Sequence, residues 1–504
     1  MMLNVISIVG LFTMLALAWS MSSHRRKVNW SLVFKGIALQ IILALIFFNS
    51  QSWTFDRSFS SFKEFREAVA ENPELLLSAE RFFANKIGER IRIDENSFSS
   101  FAEIVAANQL SRVTDGQIDA AFRTDGVQLT LPRYPNGIVF YGVEQFFDVI
   151  KRSVDAGSSF VFQVHADPLD DPPTHPRAIL STFAFGVLPT VVFFAALMSV
   201  LYYVGLMQFL IRGMAWLMQR TLGTTGAESM AGAAHVLLGH TEGPLVVKPY
   251  VKNMTRSELN ALMVGGFSTI SGSLMAIFAN IGISAGHLLT ASIISAPAAL
   301  VIAKILQPET EEPLSIDKLE HQIERNASNI IEAAANGAAD GLKLALNIAA
   351  MLIAFLALIA LIDLCLAGVG GIFGWDWSLS NLFAVLFWPL AWLMGIEVRD
   401  CVLAGDLLGK KMVINEFVAY LGLQEAMQST AVDQRLSERS QIILTYALCG
   451  FSNFGAIGIQ LGGIGPLAPD RRGDLASLGL RAMFGGMLAC SMTACIAGAF
   501  LGVI

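Results

Sequence analysis

The stretch Gly239-His-Thr-Glu-Gly-Pro-Leu-Val-Val-Lys-Pro-Tyr250 carries the strongest indication of architecture, because it sets polar and charged side chains in an apolar neighbourhood. The surrounding segment, residues 231–250, is too polar for a helix that faces lipid and too apolar for a solvated loop. Polar or irregular backbone at membrane depth is tolerated where neighbouring protein shields it. We therefore predict that this segment is a re-entrant hairpin of a membrane protein.

A second stretch, residues 398–420, repeats this pattern with the polar residues Asp406, Lys410, Lys411, Asn415 and Glu416. Each stretch is followed by a Ser-Glu pair, at Ser257 and at Ser437, which predicts a helix start with Ser as the N-cap. An apolar run that is interrupted by Gly and Ser comes next, at residues 265–273 and 449–456. The order of these features is the same both times, so the sequence contains an internal repeat.

Interrupted apolar segments at matching places in two halves are the best sequence indication of a secondary transporter site. A broken helix frees backbone N–H and C=O groups, and half-helix ends carry partial charges that can bind polar solutes or cations. Three long apolar runs, residues 259–283, 288–306 and 342–369, separate the two hairpins, and an odd number of spans inverts one repeat relative to the other. The predicted fold class is an all-α polytopic membrane protein with inverted repeats, two re-entrant hairpins and broken helices.

The composition supports a membrane protein and excludes other classes. Hydrophobic residues make up 54% of the 504 residues and charged residues only 15%, and the mean hydropathy is +0.57. These values exclude a soluble enzyme and a disordered protein, and the net charge of −7 argues against nucleic-acid binding. The five cysteines, all in or beside apolar segments, are expected to be packing residues rather than disulfides or metal ligands.

The charges around the first apolar segment give the predicted topology. The cluster His24-Arg-Arg-Lys27 follows this segment and no Lys or Arg precedes it, so the pattern is not that of a signal peptide and places the N-terminus outside. A second apolar run returns the chain outward, and residues 51–139 are expected to form an extracytoplasmic, mostly helical insertion. Residues 62–70 and 74–87 have helical spacing, whereas residues 126–131 alternate as a strand does.

Several motifs, in order, resemble the concentrative nucleoside transporter family. The run Gly239–Tyr250 is similar to the family's Gly-Gln-Thr-Glu-x-Pro-Leu hairpin. Further matches are Ser295-Ala-Pro-Ala-Ala-Leu300, Pro308-Glu-Thr-Glu311, Asn415-Glu-Phe-Val-Ala-Tyr420, Cys449-Gly-Phe-Ser-Asn453 and Leu467-Ala-Pro-Asp-Arg-Arg-Gly-Asp474. The resemblance covers about residues 178–504 and, more loosely, the first two spans, but residues 51–136 have no counterpart.

The resemblance implies a homotrimer in the bacterial inner membrane that imports nucleosides together with H⁺ or Na⁺. It implies no cofactor and no enzymatic activity; the partners are the nucleoside and the lipid bilayer. Each protomer would combine a scaffold with a transport domain that moves like an elevator. The expected domains are residues 1–50 (two transmembrane helices), 51–139 (insertion), 140–224 (interfacial helices and third transmembrane helix), 225–312 (first transport repeat), 313–379 (connector and scaffold helix) and 380–504 (second transport repeat).

The resemblance also implies the residues of a nucleoside site. The first-hairpin Gln-Thr-Glu of the family contacts the base, and its counterparts here are His240, Thr241 and Glu242. The second-hairpin Glu416 would accept ribose hydroxyls, because an ionised carboxylate is acceptor-only and can hold two of them. Three further contacts are implied: Phe451 packing on the nucleoside, Asn453 bonding the ribose and Leu274 touching the base.

Two departures from the family pattern affect this site. His240 stands where the family usually has Gln, and a neutral imidazole offers one donor and one acceptor, so the base preference is left open. Ala456 stands where the family commonly has Ser, which removes one ribose hydrogen bond worth about 0.5–1.5 kcal/mol. Deoxynucleosides or other sugars are therefore candidate substrates.

A third departure concerns the coupling cation. Sodium-coupled members have Asn five residues before the Gln, and His235 occupies that position here. Thr269 still matches the hydroxyl ligand of the Na⁺ site and Ile270 its carbonyl neighbour. Because imidazole is a nitrogen donor that titrates near neutral pH, we favour H⁺ over Na⁺. The alternative is a packed histidine beside a surviving Na⁺ site.

Other interpretations remain open at this point. Glu242 and Glu416 could instead form structural ion pairs with Lys248 or Lys411. The same scaffold could carry another polar solute. An intramembrane enzyme is disfavoured, because the sequence shows no nucleophile with a base and an orienting group. The insertion could also be a receptor or partner-binding module, although a structural role is the simpler reading.

Overall fold

The computed structural model describes residues 2–48, 188–313, 327–373, 378–428 and 435–501, together with short stretches between residues 54 and 154. The chain divides into two compact units. One unit comprises Met1–Phe47 and Phe140–Val503, and the other is Phe48–Val139. The residues expected to form the insertion, 51–139, fall within the second unit.

Helices make up the described part of the larger unit. Up to the end of the first repeat they are α1 (Met2–Ser20), α2 (Trp30–Phe48), α3 (Leu188–Val204), α4 (Leu206–Leu222), α5 (Gly226–Val246), α6 (Lys248–Val251), α7 (Arg256–Ser268), α8 (Gly272–Asn280) and α9 (Ala285–Leu306). The remaining helices are α10 (Ile330–Phe373), α11 (Leu379–Leu393), α12 (Cys401–Val413), α13 (Glu416–Gln428), α14 (Glu438–Leu448), α15 (Phe454–Ile464) and α16 (Arg472–Phe500).

The smaller unit contains two antiparallel strand pairs in its described part. Strand β1 (Thr54–Phe59) pairs with β4 (Val127–Pro132), and β2 (Ile91–Ile93) pairs with β3 (Asn96–Phe98). The strand expected at residues 126–131 is therefore present as β4. The helical segments expected at residues 62–70 and 74–87 lie outside the described residues.

Four of the described helices, α1, α2, α9 and α16, are long and apolar enough to cross a membrane. Helices α3 and α4 make a fifth span if they are counted together, although they are bent by 76° at a break between them. The third transmembrane helix expected within residues 140–224 therefore corresponds, in its described part, to α3, and the chain continues after this bend into α4. Among the cysteines, Cys365 on α10 is exposed, and Cys401, Cys449, Cys490 and Cys495 are buried.

Helix α10, which is 44 residues long, packs closely against α3. A side chain at Gly341 would lie 2.8 Å from the Val192 Cα atom, and one at Gly337 would lie 2.6 Å from the Ser199 Cβ atom. These two glycines are four residues apart, the spacing that lets helices approach each other in membranes. The pair α3–α10 is thus a tightly packed unit.

Two capping boxes fix where the first repeat begins. Thr225 caps α5 and Thr255 caps α7, each hydroxyl accepting from the backbone N–H of a Glu three residues later. The prediction that Ser257 is the N-cap of α7 is wrong, because Ser257 lies inside the helix and donates to the Gln307 carbonyl (2.7 Å). Ser437 does cap α14, where it accepts from the Ser440 N–H.

A buried ionic network joins the same helices. Lys304, near the end of α9, lies 2.7 Å from the Glu228 carboxylate on α5 and 3.0 Å from the Ser257 hydroxyl on α7. Its ammonium is also 3.5 Å from Glu309, which belongs to the Pro-Glu-Thr-Glu motif and accepts from Thr255. The network ties α5, α7 and α9 together where α5 and α7 begin and α9 ends.

Candidate functional site

Two broken helices form the frame of the site. The first break separates α7 from α8, and the second separates α14 from α15. Ser271 caps α8 by accepting from the Leu274 N–H (3.4 Å), and Asn453 caps α15 by accepting from the Ala456 N–H (2.8 Å). Leu274 and Ala456, both expected to face the solute, therefore occupy equivalent positions in the two repeats.

The two Gly-Phe-Ser motifs are not structurally equivalent, although the sequence suggested that they correspond. In the first repeat the motif forms the last turn of α7, before the break at residues 269–271. In the second repeat it forms the break itself, between the end of α14 at Leu448 and the cap at Asn453. Phe451 is thus held on non-helical backbone, whereas Phe267 is an ordinary buried helix residue.

The tip of the first hairpin touches the first break. Helix α5 is kinked at Gly239, whose φ of 78° lies in the region that favours glycine. A Cβ atom on Gly239 would lie 2.6 Å from the Ser271 Cβ atom. The hairpin tip can therefore approach the break this closely only because position 239 has no side chain.

His240, the next residue, lies against the second break. Its imidazole centroid is 3.9 Å from the centroid of the Phe451 ring, and both side chains are buried. Within the described part of the chain, neither ring nitrogen of His240 has a hydrogen-bond partner. A buried polar group without a partner costs about 1–3 kcal/mol, so these nitrogens are suited to binding a polar group of a solute.

Helices α12 and α13 are the two arms of the second hairpin. Glu416 is the first residue of α13 and contacts the same break. Its Oε2 atom accepts from the Asn453 Nδ2 group (3.1 Å), and the side chain is 4% exposed. Because Asn453 also caps α15 through Oδ1, both ends of its amide are engaged. Lys411 donates to the Ala447 carbonyl (2.8 Å). In this conformation Asn453 orients the Glu416 carboxylate.

Glu242 has a different environment. It is exposed and lies within electrostatic range of Asp340 on α10 and Tyr202 on α3. Among the contacts that the structure describes, none joins Glu242 to Glu416. Thr241 belongs to α5, and its side chain is outside the described set. The structure therefore places Glu242 on the side that faces the α3–α10 pair, and His240 on the side that faces Phe451.

Two of the three residues expected at the cation site, Thr269 and His235, contact Gly265. Thr269 donates to the Gly265 carbonyl (2.9 Å), and a Cβ atom on Gly265 would lie 2.9 Å from the His235 ring. The Nδ1 atom of His235 is 3.0 Å from the Gly239 carbonyl oxygen. Ile270 is fully buried in the break. Because a carbonyl only accepts, His235 donates from Nδ1, and Nε2 is the atom that could gain a proton.

Gln460 is a site residue that the sequence reasoning missed. It is buried on α15, and its Nε2 group donates to the Met263 carbonyl (3.1 Å). A Cβ atom on Gly266 would lie 2.7 Å from Gln460 Nε2 and 3.0 Å from His240 Cβ, so both side chains pack on the same glycine. The sequence did offer an indication of this residue, because Gln460 is an amide in the otherwise apolar helix α15.

Two hairpins whose tips meet two broken helices, in a chain with several membrane-length helices, define a secondary transporter. The family description "Na+ dependent nucleoside transporter C-terminus" matches residues 287–498, "Nucleoside recognition" matches residues 184–285, and "Na+ dependent nucleoside transporter N-terminus" matches residues 9–61. The chain belongs to the concentrative nucleoside transporter family, which is a family of transporters and not of enzymes.

Individual relatives agree with this assignment. An uncharacterized transporter of Haemophilus influenzae is 46% identical over 349 residues, which cover 69% of this chain and 82% of the relative. The human solute carrier family 28 member 3 is 41% identical over 382 residues, covering 73% of this chain and 53% of the relative. The match thus spans about half the length of the curated animal relatives.

Solved structures of CNTnw share the fold. A substrate-bound, inward-facing state has a TM-score of 0.70 at 33% sequence identity, and the match covers 99% of this chain and 98% of CNTnw. An outward-facing state of a CNTnw variant has the same TM-score. These structures support the predicted fold class, with its scaffold, transport domain and re-entrant hairpins.

Proposed function

We propose that this chain is a homotrimeric symporter of the bacterial inner membrane, which imports nucleosides by elevator-type alternating access. The observation that carries this proposal is the contact between His240 and Phe451, where two buried imidazole nitrogens without partners face an aromatic ring across the two repeats. A nucleobase has a flat apolar face and a polar edge, which this pair of side chains complements. The matches to nucleoside transporters support the same substrate class.

The sugar would bind at the neighbouring carboxylate. Glu416 has one oxygen engaged by Asn453 and can accept hydroxyls at the other. Leu274 and Ala456 offer apolar surface at equivalent places on the two half-helices. Thr241 and Glu242 would contact the solute from the hairpin in another conformation of the transport cycle, because Glu242 here faces the α3–α10 pair. The equivalence of Leu274 and Ala456 supports a solute position between the two half-helices.

The coupling cation is proposed to be H⁺ rather than Na⁺, with His235 as the carrier. Na⁺ needs several oxygen ligands, and the imidazole of His235 offers only nitrogen at this position. A proton needs one acceptor, which Nε2 of His235 supplies. The family description that names Na⁺ supports the alternative, in which Thr269 and Ile270 bind Na⁺ beside a packed His235.

Purified protein in proteoliposomes tests both statements. Uptake of radiolabelled uridine and adenosine is measured with a Na⁺ gradient alone, with a H⁺ gradient alone and with neither. We expect uptake that is driven by the H⁺ gradient and is lost when a protonophore is added. Strict dependence on Na⁺ would contradict the choice of cation, and lack of uptake and of binding for every nucleoside would contradict the substrate.

A symporter for another polar solute is the alternative that the departures at His240 and Ala456 favour. Competition against labelled uridine separates the two, using ribonucleosides, deoxynucleosides, free nucleobases and free sugars. Nucleosides are expected to compete at concentrations at which the free base and the free sugar do not.

A further inference from the structure

The two broken helices differ in how their first halves end. At the end of α14, the backbone carbonyls of every second residue accept hydrogen bonds from side chains. Tyr420 donates to the Thr445 carbonyl (2.7 Å), Lys411 to the Ala447 carbonyl (2.8 Å) and Cys490 to the Cys449 carbonyl (2.7 Å). One of these donors, Lys411, is a charged ammonium. Every carbonyl in this group is thus satisfied by the chain itself.

At the end of α7 the described donors are all neutral. Gly265 accepts from the hydroxyls of Thr269 and Ser268, and Met263 accepts from the Gln460 amide. The C-terminal end of a helix carries about half a negative charge, which is poorly screened when the end is buried. The partial negative charge of the helix end is therefore compensated by a lysine in the second repeat, whereas only neutral donors contact the corresponding helix end in the first repeat.

The position of Lys411 in the second hairpin corresponds to the position of His235 in the first. Lys411 lies on the first arm of the second hairpin, three residues before the arm ends at Ile414. His235 lies on the first arm of the first hairpin, four residues before the kink at Gly239. Both residues are about one helical turn ahead of the hairpin tip, and both side chains contact the first half of their repeat's broken helix.

Lys411 is 2% exposed and lies within electrostatic range of Glu416. Its ammonium donates to a backbone carbonyl. A buried charge is retained only where it is compensated, and here the helix end and the carboxylate both compensate it. The adjacent Lys410 has a different role, since it is partly exposed and pairs with Asp406 (2.7 Å) on the same helix.

We propose that Lys411 is a tethered cation, which permanently fills in the second repeat the place that the coupling cation fills in the first. It is a positioning residue: it holds the end of α14 and the tip of the second hairpin so that Glu416 and Phe451 meet the solute. This inference rests on the proposed function, because it assumes a coupling cation near His235. It explains how a chain with two similar repeats could couple to one exchangeable cation.

The test compares variants of the full-length protein in proteoliposomes. Lys411→Ala removes the ammonium and leaves space for a small cation, Lys411→Met removes the charge at similar volume, and Lys410→Met is the matched control. We expect nucleoside uptake to fall at least tenfold in both Lys411 variants and to change less than twofold in Lys410→Met. Because ammonium and methylammonium dissipate a H⁺ gradient, their effect is measured on nucleoside binding to detergent-purified protein. At millimolar concentration they should restore binding in Lys411→Ala, but not in Lys411→Met, and they should leave binding by the wild type unchanged.

Each alternative outcome has a defined meaning. Wild-type uptake in Lys411→Met would overturn the proposal, and so would a Lys411→Ala loss that no small cation restores. Lys411 variants that cannot be purified as folded protein, with or without ammonium, would assign the lysine to folding alone and would overturn it as well. Failure of the proposed function is distinguished by the wild type, which would then neither bind nor take up nucleosides.

Discussion

At the scale of single residues, Glu416 is the clearest candidate for sugar recognition. Its carboxylate has one oxygen on Asn453 and is otherwise buried. Glu416→Gln keeps the volume but replaces an acceptor by a donor and removes the charge, so uptake is expected to fall at least tenfold through a higher KM. Glu425→Gln changes an exposed carboxylate on the same helix and is the matched control, with uptake expected to stay within twofold. Equal loss in both variants would contradict a role in recognition.

His240 permits a sharper test of base recognition. His240→Leu removes both ring nitrogens and is expected to reduce nucleoside binding at least tenfold, measured by calorimetry on detergent-purified protein. His240→Gln, which introduces the residue usual in the family, keeps a donor and an acceptor and is expected to bind nucleosides with a changed order of base preference. An unchanged order in His240→Gln would show that position 240 does not read the base.

Asn453 has one role that the sequence indicated and a second that it did not. The family resemblance assigns it to the ribose, and in the structure it donates to Glu416. Its function as the cap of α15 depends on where the helix restarts after the break. That position follows from the packing of the break and not from the local residue pattern, so the double engagement of the amide could not be anticipated.

At the scale of secondary-structure elements, the hairpin tip gives a prediction about stability and transport. Gly239→Ala forces a side chain into a backbone conformation with φ of 78° and into contact with Ser271. Gly223→Ala has the same backbone strain, with φ of 69°, but meets no atom within 4 Å. Both variants are expected to lower the thermal midpoint, and only Gly239→Ala is expected to lose uptake. Equal uptake in the two variants would contradict the close approach of tip and break.

Much of the element structure could be predicted from the sequence. The hairpins, the interrupted helices and the Ser437 cap follow from local composition and were predicted correctly. The cap of α7 was placed two residues late, at Ser257, although Thr255 and Glu258 have the spacing of a capping box. Ser and Thr both favour helix starts, so the local sequence does not decide between Thr255 and Ser257. The tertiary structure decides, because the Ser257 hydroxyl is buried, donates to the Gln307 carbonyl and accepts from Lys304.

At the scale of the whole molecule, the network around Lys304 is expected to stabilise the first repeat. Lys304→Met leaves the Glu228 carboxylate buried without its cation, which costs about 3–5 kcal/mol when one partner of a buried pair is removed. Lys252→Met breaks the exposed pair with Asp470 and should cost no more than about 1 kcal/mol. Thermal unfolding in detergent should therefore separate the two variants by many degrees. Similar midpoints would contradict a structural role for the network.

The insertion gives a second prediction at this scale. Every described residue of the candidate site lies between positions 235 and 460, in the larger of the two compact units. A chain in which residues 51–139 are replaced by a short Gly-Ser linker is therefore expected to retain uptake within about twofold of the full chain. Loss of uptake in a protein that still binds nucleosides would instead give the insertion a part in the transport cycle.

The distribution of thiols has a practical consequence for testing the proposed elevator motion. Cys365 is exposed on α10, and the other four cysteines are buried. A maleimide dye or spin label that can enter lipid should therefore react at a single position per chain without any cysteine being removed first. In a three-copy assembly, those labels would mark the corners of a triangle. Distances from the Cys365 labels to a second label on either hairpin would report how far that hairpin moves relative to α10 in an otherwise native protein.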